Sequence, residues 1–349
     1  MERQGAPIDL RSDTVTRPTP QMYEAIANAP LGDDGLDGDP TAVALEDYAA
    51  GLLGKEAGVY FPSATMANLA AIMAQAGRQE VVLAHDASHI HEAESGGAAL
   101  SGVVCQGIAG EDGAMDCNAL ADALASNRSK LRAALVCLET SHNSAGGAVL
   151  PLAHMAEVAA LADRAGAFVH VDGARLFNAS IALGVPPSGI ARHADTVTIC
   201  LSKGLSAPMG AVLAGPRQTC VRARALRRAL GGNQRQVGIA AAAGLVALRT
   251  MVERLADDHR RAGLLADGVA SAGLLLANRP QTNIVQIDTT ATGRTAAQWV
   301  DALRAAGVLV RPWGRHLLRC VTHRHISDDD IGEAVAAFRA CLAASLFQR

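Results

Sequence analysis

The chain has 349 residues, half of them apolar, and a formal net charge of −3 from 31 Lys and Arg against 34 Asp and Glu. Its basic residues are scattered, which argues against nucleic acid or an anionic membrane as a partner; no apolar run reaches transmembrane length, and residues 1–7 lack the apolar core of a secretion signal. The length suits one large and one smaller domain, and with two Trp, three Tyr and five Phe the interior must be filled by Ala, Val, Leu and Ile.

Seven Cys stand at 105, 117, 137, 200, 220, 320 and 341, an odd number without a CxxC spacing. That pattern indicates neither a disulfide framework nor a zinc knuckle, so a reduced, cytoplasmic protein is expected.

Residues 1–20 contain Pro7, Pro18, Pro20 and the polar run Arg11-Ser12-Asp13-Thr14, and read as an extended arm too polar and Pro-broken for a core element. The Gly/Asp-rich stretch 32–41 lacks the ligand alternation of a calcium loop and reads as a plain loop. Leu45, Tyr48, Leu52 and Leu53 share a helical face. From there strand and helix alternate: strands over 59–61, 81–84, 103–108, 133–138, 167–172, 195–202 and 210–214, with helices over 65–77, 116–126 and 151–166. This alternation predicts an α/β domain around a large, mostly parallel seven-stranded sheet. Past Gly238 the texture becomes Ala/Leu/Arg-rich, giving one long helix or two abutting ones over 239–272. A strand (283–287), a helix (295–306), two short strands (308–310, 317–321) and a last helix opened by the capping box Ser327/Asp330 follow, as in a small α+β domain. The expected organisation is an arm (1–20), a large domain (21–245) and a small C-terminal domain (246–349).

The chemistry concentrates at strand ends. The run 196–205 delivers one of only three lysines, Lys203, to the mouth of a β-favouring strand. A Lys there is either a surface residue of a turn or a neutral nucleophile able to form a Schiff base. Asp172 ends another apolar strand, 31 residues earlier, a spacing of one helix plus one strand, so the two side chains can meet above neighbouring strands. An acid that protonates a heterocycle nitrogen and an imine-forming Lys are what a pyridoxal phosphate site requires. The small hydroxyl run Ser63-Ala64-Thr65 before a helix can be an N-cap or a phosphate cradle. His85, His89 and His91 near Glu92 and Glu94 lack a zinc spacing. His142, after a strand, is a candidate auxiliary site residue; His170, inside an apolar strand, reads as a satisfied core side chain, and His323 and His325 as structural.

Eight blocks carry a resemblance across nearly the whole chain: 9–16, 32–34 with 39–41, 62–68, Ser88-His89, 170–175, 201–205, 231–236 and 321–323. In this order they are similar to the low-specificity L-threonine aldolases of the fold type I, aspartate-aminotransferase-like pyridoxal phosphate enzymes. The resemblance implies Lys203 as the Schiff-base lysine, Asp172 as partner of the pyridine nitrogen, and Ser63, Ala64 and Thr65 as the phosphate site. It further implies His89 stacked on the ring and serving as the leading base, and Ser12, Arg175, Arg319 and His142 at the substrate. Arg175 and Arg235 would also serve the cofactor, Arg235 on its phosphate side across a subunit boundary. The implied reaction is retro-aldol cleavage of L-threonine or L-allo-threonine to glycine and an aldehyde, in a homodimer or homotetramer with shared sites. The alternatives are a related aldolase or transaldolase using a bulkier aldehyde and, from another class, a non-catalytic aminotransferase-like binding domain. The chain departs from the family's pattern in having Ala64 for Gly, Leu36 for Tyr, Thr140-Ser141 for Asn-Thr, and a short 126–130 segment without its His.

Overall fold

The structure, a computed structural model, describes residues 6–125 and 131–346; residues 1–5 and the 126–130 segment with Lys130 lie outside the described residues. The chain forms two compact units, Arg17–Val252 and a second made of Glu253 onward together with the residues up to Thr16.

The large unit is built on the expected seven-stranded sheet. In spatial order its strands are Ala57–Phe61, Ala211–Gly215, Thr196–Cys200, Phe168–Gly173, Ala133–Glu139, Val81–His85 and Val104–Ile108. All neighbours run parallel except Ala211–Gly215, which is antiparallel to both of its partners. Thr196–Cys200 and Ala211–Gly215 are buried along their whole length, which explains why they read as continuous β-favouring runs. Small side chains let helices approach closely. Ala67, Ala70 and Ala71 of the helix Ala64–Gln75 pack without exposed surface on Val59, Phe61, Ala211 and Leu213. The acidic loop over 32–41 is a scaffold: Asp39 caps the helix Pro40–Leu53 through Thr41 N and Ala42 N and also accepts from Gly32 N and Gly238 N.

The second unit carries a four-stranded antiparallel sheet ordered Leu275–Leu276, Ile284–Asp288, Leu317–Val321, Arg311–Pro312. Trp299 and Phe338 stack in its core, 6.0 Å between ring centroids. The N-terminal arm differs from expectation here. Ile8–Asp9 pairs in parallel with Val308–Leu309, and Ile8 and Leu10 are core residues. Two apolar side chains spaced by two are enough for a buried edge strand, a signal too short to stand out among prolines. The stretch 239–272 resolves into two helices, Gly238–Thr250 and Leu255–Ser271. The Ser327/Asp330 capping box forms in both directions, at 2.8 and 3.2 Å. Among the described residues no helix is long and apolar enough to cross a membrane.

Candidate active site

Three neighbouring strands of the large unit are in register near their carboxyl ends. Glu139 lies opposite Asp172, and Asp172 opposite Thr198, so a row of two carboxylates and a hydroxyl crosses one face of the sheet at its carboxyl edge. Asp172 is 2 % exposed. Its Oδ1 accepts from Ala174 N at 3.0 Å and its Oδ2 from Asn68 Nδ2 at 2.9 Å. Gly173 is needed next, because a Cβ there would stand 2.6 Å from Thr198 O. Behind Asp172 a polar chain runs into the core: Asn68 Oδ1 to His170 Nε2 at 3.2 Å, His170 Nδ1 to Thr196 Oγ1 at 2.9 Å, and Gln75 Nε2 to Thr196 Oγ1 at 2.9 Å. Burial lowers the His170 pKa to about 4, so it is the neutral, satisfied core histidine the sequence suggests. Burial above all, then the charges of Glu139 and Glu94, push the Asp172 pKa up to about 6, against the opposing pull of Lys203 and His89.

Lys203 follows the neighbouring strand. That strand closes at Cys200, two residues earlier than expected, and Lys203 sits half-buried in the turn beyond. Leu201 N donates to Gly210 O, Ala207 N to Leu201 O, and Ser206 N to Lys203 O, which pins the turn on both sides of the amine. Buried Ser206 holds φ +66°, a left-handed conformation that keeps the turn tight.

Ser63 caps the helix Ala64–Gln75, its Oγ accepting from Met66 N at 3.2 Å. The N–H groups of Ala64 and Thr65 belong to the first turn and have no carbonyl of their own helix to reach. Ala64 is not among the residues with positive φ. Ala in place of the family's Gly therefore carries no backbone penalty at this position. The Thr65 hydroxyl reaches Glu94.

His89 opens a short helical turn, His89–Glu92, capped by Ser88. Its Nδ1 lies 3.0 Å from Glu94 Oε1, and Asn68 Nδ2 donates to Glu94 Oε2 at 3.2 Å. The Glu94 hydrogen bond, opposed by burial and aided by the charges of Glu94, Asp172 and Glu139, raises the His89 pKa. Burial works to raise the Glu94 pKa as well, but the bonds from His89, Thr65 and Asn68 outweigh it and hold the carboxyl below its ordinary value.

Arg175 is buried and its Nη1 donates to Asn143 Oδ1 at 3.3 Å. His142 has 0 % exposure, lies edge-on to His85 with 5.0 Å between centroids, and has its pKa lowered to about 4 by burial and then by His85. It backs this region and reaches no open part of it. Arg235 is exposed and paired with Asp33 at 2.9 Å, while Asp34 pairs with buried Arg227. Ser12 and Arg319 belong to the second unit. There Ser12 Oγ accepts from Thr14 N at 3.2 Å, and Arg319, 2 % exposed, donates to Arg11 O at 3.3 Å and lies over the Trp313 ring at 4.1 Å.

The profile of the beta-eliminating lyases matches residues 9–292. The chain belongs to that family. It is 42 % identical over 341 residues to a probable low-specificity L-threonine aldolase 2 of Arabidopsis thaliana, covering 95 % of this chain and 96 % of the relative. It is 40 % identical to a low specificity L-threonine aldolase of Escherichia coli K12, covering 96 % and 99 %. Among solved structures, a threonine aldolase of Leishmania major superposes with TM-score 0.82 at 18 % identity over 96 % of this chain and 100 % of that one. The fold is that of the fold type I pyridoxal phosphate enzymes.

The residues of this lyase fit pyridoxal phosphate. An enclosed carboxylate with its pKa pushed up suits a protonated ring nitrogen, which supplies the countercharge that burial removes. Buried Thr198 Oγ1, in register with Asp172, has no hydrogen-bond partner among the described residues and can meet a polar group of a ligand. The helix start at Ser63-Ala64-Thr65 offers free first-turn donors and a positive dipole end to a phosphate. Asn68, Glu94, Glu139 and Asn143 had no role in the site from sequence alone. Of these only Glu139, the acid closing an apolar strand as Asp172 does, carried a signal of the same kind.

Proposed function

We propose that this chain is a pyridoxal phosphate-dependent aldolase that cleaves L-threonine and L-allo-threonine to glycine and acetaldehyde. The observation that carries this reading is enclosed Asp172 beside Lys203 at the carboxyl ends of adjacent parallel strands, in a chain of the beta-eliminating lyase family. The named activity of the relatives at 42 and 40 % identity supports the substrate. Bound pyridoxal phosphate supplies an electron sink for the pair released when the Cα–Cβ bond breaks.

The chain's own residues do the rest. Lys203 would supply the amine that holds the cofactor. Asp172, fixed by Asn68 and Ala174 N, keeps a proton on the ring nitrogen. Ser63, Ala64 and Thr65 hold the phosphate at the helix start, with Arg235 proposed for the phosphate of a neighbouring subunit. Arg175 in the large unit, and Ser12 and Arg319 in the second, are the groups for the substrate carboxylate, where a guanidinium can bind two oxygens at once. His142 supports the site from behind. With Nδ1 of His89 engaged by Glu94, its Nε2 would be the atom that takes the β-hydroxyl proton, directly or through one water. In this reading 21–245 binds the cofactor, 1–20 and 246–349 complete the chain, and the enzyme works in the cytoplasm as a homodimer or homotetramer.

The test is glycine release from L-threonine, L-allo-threonine and L-phenylserine, each offered separately to the holoenzyme. Glycine from the first two is expected. A protein that holds pyridoxal phosphate yet releases no glycine from any of the three ends the aldolase assignment.

A further inference from the structure

Glu139 carries no assigned role, yet it is built at considerable cost. It is 6 % exposed, stands in register with Asp172, and neither of its two hydrogen bonds described here comes from a cation. A buried carboxylate is expensive unless its oxygens are strongly satisfied. Here both are, by backbone donors from two different segments, the helical turn that starts at His89 and the turn at Asn143: Oε2 accepts from His89 N at 2.6 Å and Oε1 from Asn143 N at 2.7 Å. Charge-assisted bonds of this kind are among the strongest a backbone amide makes. Each segment then presents a group to the proposed site. His89 itself is one; Asn143 Oδ1, receiving Arg175 Nη1, is the other.

We infer that Glu139 is a positioning residue, whose carboxylate fixes His89 and, through Asn143, the carboxylate-binding Arg175 at once. The inference rests on the function proposed above. A neutral side chain could fill the same space, but it could not accept from two amides on opposite sides with equal strength. Glu139 also contributes to the raised pKa of Asp172, in keeping with its place in the same row.

Both arms can be weakened together, and the Arg175 arm alone. In Glu139→Gln one amide meets an NH2 group instead of an acceptor, so both walls loosen. The visible circular-dichroism band of bound pyridoxal phosphate should shrink or change shape, and KM for L-threonine should rise roughly ten-fold or more. Asn143→Ala leaves Glu139 and both backbone bonds in place and removes the Arg175 contact to Asn143 Oδ1. It should raise KM several-fold, leave kcat within about two-fold and leave the visible band unchanged. A Glu139→Gln holoenzyme with wild-type band and wild-type KM overturns the inference. If Glu139→Gln fails to fold, judged by far-ultraviolet circular dichroism, an Asn143→Ala enzyme with wild-type KM overturns it instead. Wild-type protein that takes up no pyridoxal phosphate contradicts the function proposed above, a result distinct from either.

Discussion

The acid–base behaviour of the site turns on individual side chains. Glu94 raises the His89 pKa mainly through its hydrogen bond, and a base must first lose its proton. The threonine cleavage rate should therefore climb as pH rises through the elevated His89 value. Glu94→Gln should move that limb to lower pH, read from the pH profile of kcat/KM; an unmoved limb removes His89 from the role of base. The same raised pKa has a stability counterpart. The His89–Glu94 pair contributes fully just below the unfolded-state histidine value of about 6.5, fades as pH rises through the raised folded value of His89, and is lost again in acid as Glu94 takes up a proton. Asp172 titrates with the same sign from a lower start: about 6 folded against a reference of 3.8. Its contribution is present below the reference value and lost as pH climbs through 6. Between pH 4 and 7 the apo wild type should lose thermal stability relative to apo Asp172→Asn, which has no such proton to release. Parallel melting curves across that range contradict the placement of Asp172. At this scale the strand-end positions of Lys203 and Asp172 were legible, since each follows an apolar run. Glu94 and Asn68 were not, because their importance lies in meeting Asp172 and His89, contacts with no trace in local sequence.

At the scale of elements, local backbone rules decide what substitutions cost. Ala64 begins a regular helix, so Ala64→Gly relieves nothing and should cost up to about 1 kcal/mol of stability. Gly113 is the opposite case. It holds φ +83°, and a Cβ there would lie 2.5 Å from His142 Cγ. Gly113→Ala should cost about 2 kcal/mol or more and displace the His142 ring. Equal melting temperatures for the two variants would contradict both readings. Most strands were legible as β-favouring apolar runs, and the mostly parallel character of the sheet in their alternation with helices; their spatial order was not. The exact ends were not, as Lys203 shows: the strand stops at Cys200, and Leu201 N donates to Gly210 O where the chain enters the turn. Exposed Leu36, at 78 %, cannot offer the hydroxyl that a Tyr would bring, so any hydroxyl contact from that loop must come from elsewhere.

For the whole molecule, the scarcity of aromatic residues reappears as Ala-lined helix–sheet packing in the large unit, with Trp299 and Phe338 kept for the core of the second. The change of texture past Gly238 suggested a boundary at 245; the compact units divide between Val252 and Glu253. The return of the N-terminal residues to the second unit was not legible, because it depends on Ile8–Asp9 finding Val308–Leu309 some 300 residues away. The chain's few lysines make its central claim directly testable. Lys55 is tied to Ala194 O at 2.5 Å, just before the start of the strand whose far end leads to Lys203, so the two amines lie at opposite edges of the sheet. Borohydride reduction of the holoenzyme followed by peptide mapping should find the reduced cofactor on Lys203 and on no other lysine. Label on Lys55 or Lys130, or no label on a protein that holds pyridoxal phosphate, would contradict the account.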